Sequence, residues 1–326
     1  MINIRLLLSA LFTGLILSGS LGAKPQPLPM PDFTKGDTIP KDAAKDWNLG
    51  ATGARGWMYM DQLETTQARQ VAITKVAANS PASTHLEVGD VILGVAGKPF
   101  SYDPRQEFGK ALTAAEADDG KLALTRWRAG KTKAITLQLP VLGSYSATAP
   151  YDCPKSKLIL EKSCEALAER MASPEYKENA ISRSLNALGL LASGNPKFHP
   201  LIKKEAEWAA DQHIEHMATW WYGYITVFLS EYVMATGDES VLPGLRRIVM
   251  EAAKGQSAVG SWGHKFANAE GRLPGYGMMT SPGASLTVGM VLAREAGVDD
   301  PEVAEAIKRS ATLLRFYIGK GSVPYG

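Results

Sequence analysis

Two patterns of hydrophobic and polar positions divide this chain. Between residues 47 and 140, short apolar stretches such as VILGV at 91–95 alternate with turn residues, which is typical of short strands joined by tight loops. From residue 155 onward, apolar positions recur at the spacing of amphipathic helices. The pattern therefore predicts a small α+β domain at 47–140 followed by an all-α domain at 155–326.

Local signals place the elements of the first domain. Ser80 followed by Pro81 is a favourable helix start and predicts a short helix that reaches Leu86. A second helix is predicted from Asp103, which precedes a proline and an apolar helical face. In the segment 121–139, apolar and polar residues alternate on both sides of an Ala-Gly-Lys turn, which predicts a β-hairpin.

The stretch 70–100 reads QVAITKVAANSPASTHLEVGDVILGVAGKPF. Its elements SPA, L-x-V-G-D-V-I and V-x-G-K-P-F, in this order after an alternating strand, resemble a PDZ domain of the bacterial type. The resemblance implies a partly open β-barrel with two helices. It also implies a module that captures an extended peptide or the C-terminus of a partner by strand addition.

In PDZ domains the loop before the second strand holds the ligand, and 49–58 occupies that place. Glycines there allow N–H groups to converge on a carboxylate, and an arginine adds charge. Two residues separate Gly53 from Gly56, whereas the common pattern alternates glycine with single apolar residues. The alternative that the domain serves only as a rigid spacer or interdomain brace therefore stays open. The peptide-binding residues implied are Gly53, Ala54, Arg55, Gly56, Trp57 and Met58.

The second region contains internal repeats. Three similar segments each end a helix at a glycine, cross a polar turn and start another amphipathic helix. They predict an array of helical hairpins, with about seven helices over 155–318. The helix stops are Gly194, Gly237 and Gly297, and the aromatic-glycine pairs expected at the linking loops are Tyr222-Gly223, Trp262-Gly263 and Tyr325-Gly326.

The segment 256–262, QSAVGSW, resembles the Q-x-x-x-G-x-W repeat motif of squalene-type cyclases. This implies part of an α/α toroid in which Gln256 and Trp262 form a structural clasp, without cyclase chemistry, because the acidic D-x-D-D motif is absent. The hairpin pattern still runs at the end of the sequence, so we expect a truncated domain. Apolar side chains should then be exposed among Leu313, Leu314, Phe316 and Tyr317.

The first 23 residues predict export, and a linker follows them. Residues 1–23 combine an early arginine, an apolar run and small residues, which is typical of a cleaved signal peptide; the alternative is a retained anchor. We therefore expect a periplasmic or secreted protein without a later membrane span. Residues 24–46 contain five prolines and predict an extended linker. Residues 141–154 are rich in Gly, Ser and Pro and predict a second linker. The whole layout resembles secreted bacterial PDZ-containing proteins, which implies no particular activity.

Charge and spacing exclude several function classes. The formal net charge is +2 and no basic run is present, so nucleic acid is not an expected partner. Cys153 and Cys164 are eleven residues apart around a predicted helix, a distance of about 16 Å that no disulfide spans. So sparse a pair predicts no metal site, and neither do His213 and His216, which lack a third ligand. No cofactor is predicted.

Aromatic residues suggest a cavity in the helical domain that takes a carbohydrate or a peptide, although helical spacing also fits ordinary core. The function expected first is protein binding. One alternative is an enzyme acting on polysaccharide or peptide, with His264, Tyr276 and Glu231 as acid/base candidates and no assigned catalytic residue. A purely structural scaffold is the other. The possible cavity residues are Trp220, Trp221, Tyr222, Tyr224, Trp262, His264 and Tyr276.

Overall fold

The computed structural model describes residues 30–41, 43, 45–61, 64–215, 217–323 and 325. It forms two compact units, 1–155 and 156–326, close to the predicted boundary between the two patterns. The predicted signal peptide, the first residues of the predicted linker, and His216 lie outside the described residues.

The first unit is built on an antiparallel sheet with one α-helix. Across the sheet the order is β1-β2-β3-β4-β6-β7, with β5 paired to β4. Strands β1 and β7 form the two edges, so the sheet is open rather than closed into a barrel. The elements are β1 (Trp47–Asn48), β2 (Ala54–Trp57), β3 (Val71–Val76), β4 (Val91–Val95), β5 (Lys98–Pro99), α1 (Pro104–Ala117), β6 (Lys121–Arg128) and β7 (Lys131–Gln138).

Two predicted elements of this unit are confirmed. Helix α1 begins after Asp103, whose carboxylate accepts the N–H of Arg105 at 3.0 Å and the hydroxyl of Thr65 at 2.6 Å, as an N-cap should. Strands β6 and β7 form the predicted hairpin. Ala129 and Gly130 both have left-handed φ values, 46° and 82°, which suit a two-residue hairpin turn.

The predicted helix at 80–86 is wrong, because this segment forms a run of turns. The hydroxyl of Ser80 donates backward to the carbonyl of Ala77 at 2.7 Å instead of capping a following turn. The N–H of Ala82 donates to the carbonyl of Thr52 in a neighbouring loop at 2.9 Å. A segment this short gains too few internal hydrogen bonds to outweigh such external ones.

The described part of the predicted linker is folded, contrary to expectation. Phe33 is buried and meets Trp57 edge to face with ring centroids 5.8 Å apart. Its backbone N–H donates to Gln70 at 2.8 Å. Side chains alternate across a strand, so Trp57, Ala72 and Val91 form a small apolar cluster separate from the main core. Phe33 packs on this cluster and shields its apolar surface from water.

The regular elements described in the second unit are all helices. Consecutive pairs α3–α4, α5–α6 and α7–α8 pack together, and α5 also packs against α3, α4 and α7. The predicted helix stops are confirmed, since Gly194, Gly237 and Gly297 have φ values of 65°, 70° and 108° just after α3, α5 and α7. The helices are α2 (Pro154–Ala172), α3 (Ala180–Ala192), α4 (His199–Ala210), α5 (Ala218–Thr236), α6 (Leu242–Lys254), α7 (Thr280–Glu295) and α8 (Pro301–Arg315).

Tyr222 and Gly223 lie inside α5 and not at a linking loop. The glycine is required by helix packing. A Cβ at Gly223 would collide with the side chain of Ser285 on α7, and one at Gly289 with the hydroxyl of Thr226 on α5. The sequence pair therefore marks a close approach of α5 and α7.

Apolar side chains are exposed at the end of α8, as predicted. Leu314 and Phe316 are exposed, whereas Leu313 and Tyr317 are half-buried. In the part of the chain that the structure describes, no helix is both long enough and apolar enough to cross a membrane.

Candidate functional site

Among the predicted peptide-binding residues, Gly53 ends the loop after β1, Ala54–Trp57 form β2, and Met58 follows it. Four of them, Ala54, Gly56, Trp57 and Met58, are buried. The loop uses its own N–H groups: Gly50 donates to the side chain of Asn48 at 2.9 Å, and Ala54 to the hydroxyl of Thr52 at 3.1 Å. A ligand carboxylate would have to compete for these donors.

Strand β2 is paired on both sides. Towards the sheet interior it pairs with β3, and on the other side with β1, where Trp47 lies opposite Gly56 and Asn48 opposite Arg55. Strand β1 runs antiparallel to β2, as a strand-addition ligand would. An added strand must therefore replace β1 at these two positions.

Arg55 is held by a carboxylate of the same chain. Its guanidinium donates from Nε and Nη2 to Oδ1 of Asp46 at 2.9 and 2.6 Å, and from Nη2 to the Asp46 carbonyl at 3.0 Å. Thr74 donates its hydroxyl to Oδ2 at 2.6 Å. Hydrogen bonds from Arg55 and Thr74 keep the pKa of Asp46 below its usual range, and the pair raises the pKa of Arg55. Asp46 thus makes the contact predicted for a ligand carboxylate.

Helix α1 borders β1 and the following loop. The guanidinium of Arg105 lies 4.6 Å from the ring centroid of Trp47, and the side chain of Leu112 contacts the backbone at Gly50. The indole N–H of Trp47 is buried and has no hydrogen-bond partner among the described residues. Strand β1 therefore fills the space beside β2 and α1, but with one buried donor unsatisfied.

In the helical unit, Gln256 and Trp262 bind backbone groups. Trp262 is fully buried and its indole N–H donates to the carbonyl of Ala252 at 2.8 Å. The Gln256 amide donates to the carbonyl of Ala306 on α8 at 2.9 Å and accepts from Arg309 at 2.6 Å. The Gln256 contacts tie the loop after α6 to α8, and the Trp262 contact ties it back to α6, which is a stabilising role.

The loop 263–278 is closed at its base by backbone contacts. The N–H of Met279 donates to the carbonyl of Trp262 at 2.8 Å. Gly263 lies so close to the carbonyl of Gly277 that a Cβ would collide with it. The hydroxyl of Thr219, in the first turn of α5, donates to the Gly263 carbonyl at 2.7 Å. The loop is thereby anchored beside the N-terminus of α5.

Closure of this loop brings together three of the predicted cavity residues. The indole N–H of Trp220 donates to Nδ1 of His264 at 2.9 Å. The two ring planes differ by 22° with centroids 5.8 Å apart. Tyr276 meets His264 at 71° with centroids 5.7 Å apart. We call Trp220, His264 and Tyr276 the aromatic corner.

The other predicted cavity residues do not join the corner. Tyr222 is buried; its hydroxyl accepts the N–H of Ile214 at 3.1 Å and donates to Glu251 at 2.9 Å, and burial raises its pKa. Trp221 and Tyr224 are half-buried on α5. Trp262 is held by its hydrogen bond to the carbonyl of Ala252 in the last turn of α6.

Two of the acid/base candidates, His264 and Tyr276, lie together in the corner, and the third does not join them. Glu231 lies eleven residues beyond Trp220 on α5, a separation of about 16 Å along the helix axis. It is therefore not part of the constellation around His264. Within the described ranges, no three His, Cys, Asp or Glu side chains are placed to hold a metal ion.

Two residues at the first site were missed by sequence reasoning. Asp46 lies in the predicted linker, and Trp47 is the first residue of the predicted domain. A carboxylate nine residues before Arg55, across a glycine-containing turn, is a usable signal, because a tight hairpin brings such positions together.

Residues 156–326 match a family model described as a domain of unknown function, DUF6288. The match covers slightly more than half of the chain. No curated protein and no solved structure matches the chain.

Proposed function

The chain belongs to the DUF6288 family, and we propose that it is a binding protein whose first unit captures an extended peptide or a partner's C-terminus along β2, as a PDZ domain does. The predicted signal peptide makes a periplasmic or secreted partner the expected one. Under this proposal no cofactor is needed, because strand addition uses backbone hydrogen bonds.

One observation carries the proposal: β2 already holds an antiparallel strand on the side that a ligand would use. Trp47 and Asn48 pair with Gly56 and Arg55, and Asp46 presents a carboxylate to Arg55. These are the backbone and charge contacts that a peptide ending in a carboxylate would make.

The internal strand is a weak competitor. It contributes two residues, and its Trp47 indole N–H is buried with no hydrogen-bond partner in the part of the chain that the structure describes, which costs free energy. Its presence still lowers the apparent affinity for any ligand, because only the fraction of molecules with β1 displaced can bind.

The proposal is tested by titrating the full chain against a fluorescent library of peptides with random C-termini, read by fluorescence polarisation. We expect saturable binding that weakens in Arg55→Gln, which lacks the cation, and strengthens in Asp46→Ala, which removes the competing carboxylate. Lys133→Glu changes an exposed charge on edge strand β7 and should leave the affinity unchanged.

A structural scaffold is the second candidate function. It is favoured by the number of groups at this hairpin that are already paired within the chain. If neither the unmodified chain nor Asp46→Ala binds any peptide in the library, the scaffold is the correct interpretation and peptide capture is wrong.

A further inference from the structure

We propose that the aromatic corner binds a pyranose ring of an uncharged carbohydrate. The corner lies wholly in the second unit, and the inference is independent of peptide capture by the first. It rests on how the three rings are oriented and on which of their polar atoms remain for a ligand.

Trp220 and His264 together form one nearly flat surface. A hydrogen bond to an imidazole nitrogen points along the lone pair, which lies in the plane of the ring. Because the indole N–H reaches Nδ1 at 2.9 Å and the planes differ by only 22°, the rings adjoin edge to edge. They do not cover one another, so their faces extend a common floor.

The same hydrogen bond assigns the tautomer of His264. Since Nδ1 accepts a hydrogen bond from the indole N–H of Trp220, the neutral ring carries its own proton on Nε2. The Nε2–H group then lies on the side of the imidazole away from Trp220 and is a donor directed along the ring plane. It suits a hydroxyl of a ligand that rests on the floor.

Tyr276 stands against this floor as a wall, at 71° to the imidazole. The side chain is 86% exposed. Gly275 and Gly277 on either side have left-handed φ values of 75° and 82°, and a Cβ at either position would meet no neighbouring atom. These glycines are therefore needed for the backbone turn and not for packing, and the turn presents Tyr276 outward.

A pyranose fits a flat floor with one perpendicular wall. Its C–H face is apolar and stacks on aromatic rings, while its equatorial hydroxyls lie at the rim, within reach of groups such as the His264 Nε2–H and the Tyr276 hydroxyl. A nucleotide is better served by parallel aromatic faces on which its base stacks, and it brings a phosphate. The loop 263–277 carries Lys265 and Arg272 together with Glu270, which is no cationic cluster.

The test is a titration of the full chain with neutral hexasaccharides, namely cellohexaose, xylohexaose and chitohexaose, followed by tryptophan fluorescence and calorimetry. We expect saturable binding of at least one of them. Tyr276→Ala should weaken it about tenfold, the loss expected for one aromatic contact. Tyr276→Phe should retain most of the affinity, since the ring remains.

Two controls separate this site from others. Tyr151→Ala removes a tyrosine of the first unit that is 77% exposed and should not change sugar binding. Arg55→Gln should not change it either, so failure of peptide capture and failure of this inference are distinguishable. The inference is overturned if no hexasaccharide binds at millimolar concentration, if Tyr276→Ala binds like the unmodified chain, or if adenosine monophosphate binds more tightly than every sugar.

Discussion

The edge of β2 and the aromatic corner are opposite kinds of candidate site. At β2 the chain itself occupies the contacts: β1 takes the strand edge and Asp46 takes Arg55. At the corner, Tyr276 is exposed and the imidazole of His264 is held by the indole N–H of Trp220. A ligand at β2 must first displace part of the protein, whereas a ligand at the corner meets a surface already arranged for it.

An arginine or a glycine-containing loop in a sequence indicates a group that can bind a ligand. It does not indicate whether another group of the same chain already binds it, as Asp46 binds Arg55. Both sites depend on hairpin-like loops closed by backbone hydrogen bonds. At β2, the contacts that close the loop also occupy the strand edge and Arg55, which a ligand would need. At the corner, loop closure brings the aromatic rings together.

The largest effect is expected at the base of the loop that carries the corner. Trp262→Ala removes a fully buried indole and its hydrogen bond to Ala252. We expect a loss of about 3–5 kcal/mol in the free energy of unfolding of the helical unit, measured by urea denaturation with circular dichroism. Tyr276→Ala is the matched control and should leave the denaturation midpoint in place. An unchanged midpoint in Trp262→Ala would show that the indole does not support the loop.

An intermediate effect is expected where α5 meets α7. Gly223→Ala places a methyl group against Ser285 and should lower the free energy of unfolding by about 1–3 kcal/mol through overpacking. Gly189→Ala, in α3, meets no atom within 4 Å and should raise it by roughly 0.5–1 kcal/mol through lower chain entropy. Equal effects of the two substitutions in the same denaturation experiment would contradict this account of the α5–α7 contact.

The smallest effect is expected at the β1–β2 hairpin, in its pH dependence. The pKa of Asp46 is lowered in the folded chain, chiefly by Arg55. The stability from this pair is therefore fully present above the ordinary aspartate pKa of about 3.9 and is lost as the pH falls through the lowered folded value. Being partly exposed, the pair contributes modestly.

Thermal unfolding of the unmodified chain and of Asp46→Asn, compared between about pH 7 and about pH 3, measures this contribution. The variant should be less stable at neutral pH, and the difference between the two chains should shrink in acid. A difference that stays constant across the range would mean that Asp46 does not titrate as the hairpin requires.

The sequence by itself determined the elements whose signals are local. The β6–β7 hairpin, helix α1 with its Asp103 cap, and the helix ends at Gly194, Gly237 and Gly297 all followed from neighbouring residues. Left-handed backbone at a glycine and a capping carboxylate act within a few positions. Such features can be predicted without knowing what packs against them.

Tertiary structure decided the features that depend on distant partners. The segment 80–86 does not form a helix, because Ser80 and Ala82 donate hydrogen bonds to Ala77 and Thr52. Phe33 is buried because it packs against Trp57. The corner required His264 to meet Trp220, forty-four positions away, through the backbone closure of a loop. Periodicity identifies which faces are apolar, but which faces and loops meet depends on the free energy of the whole packed unit, and so a site built across such contacts could not be predicted from local pattern.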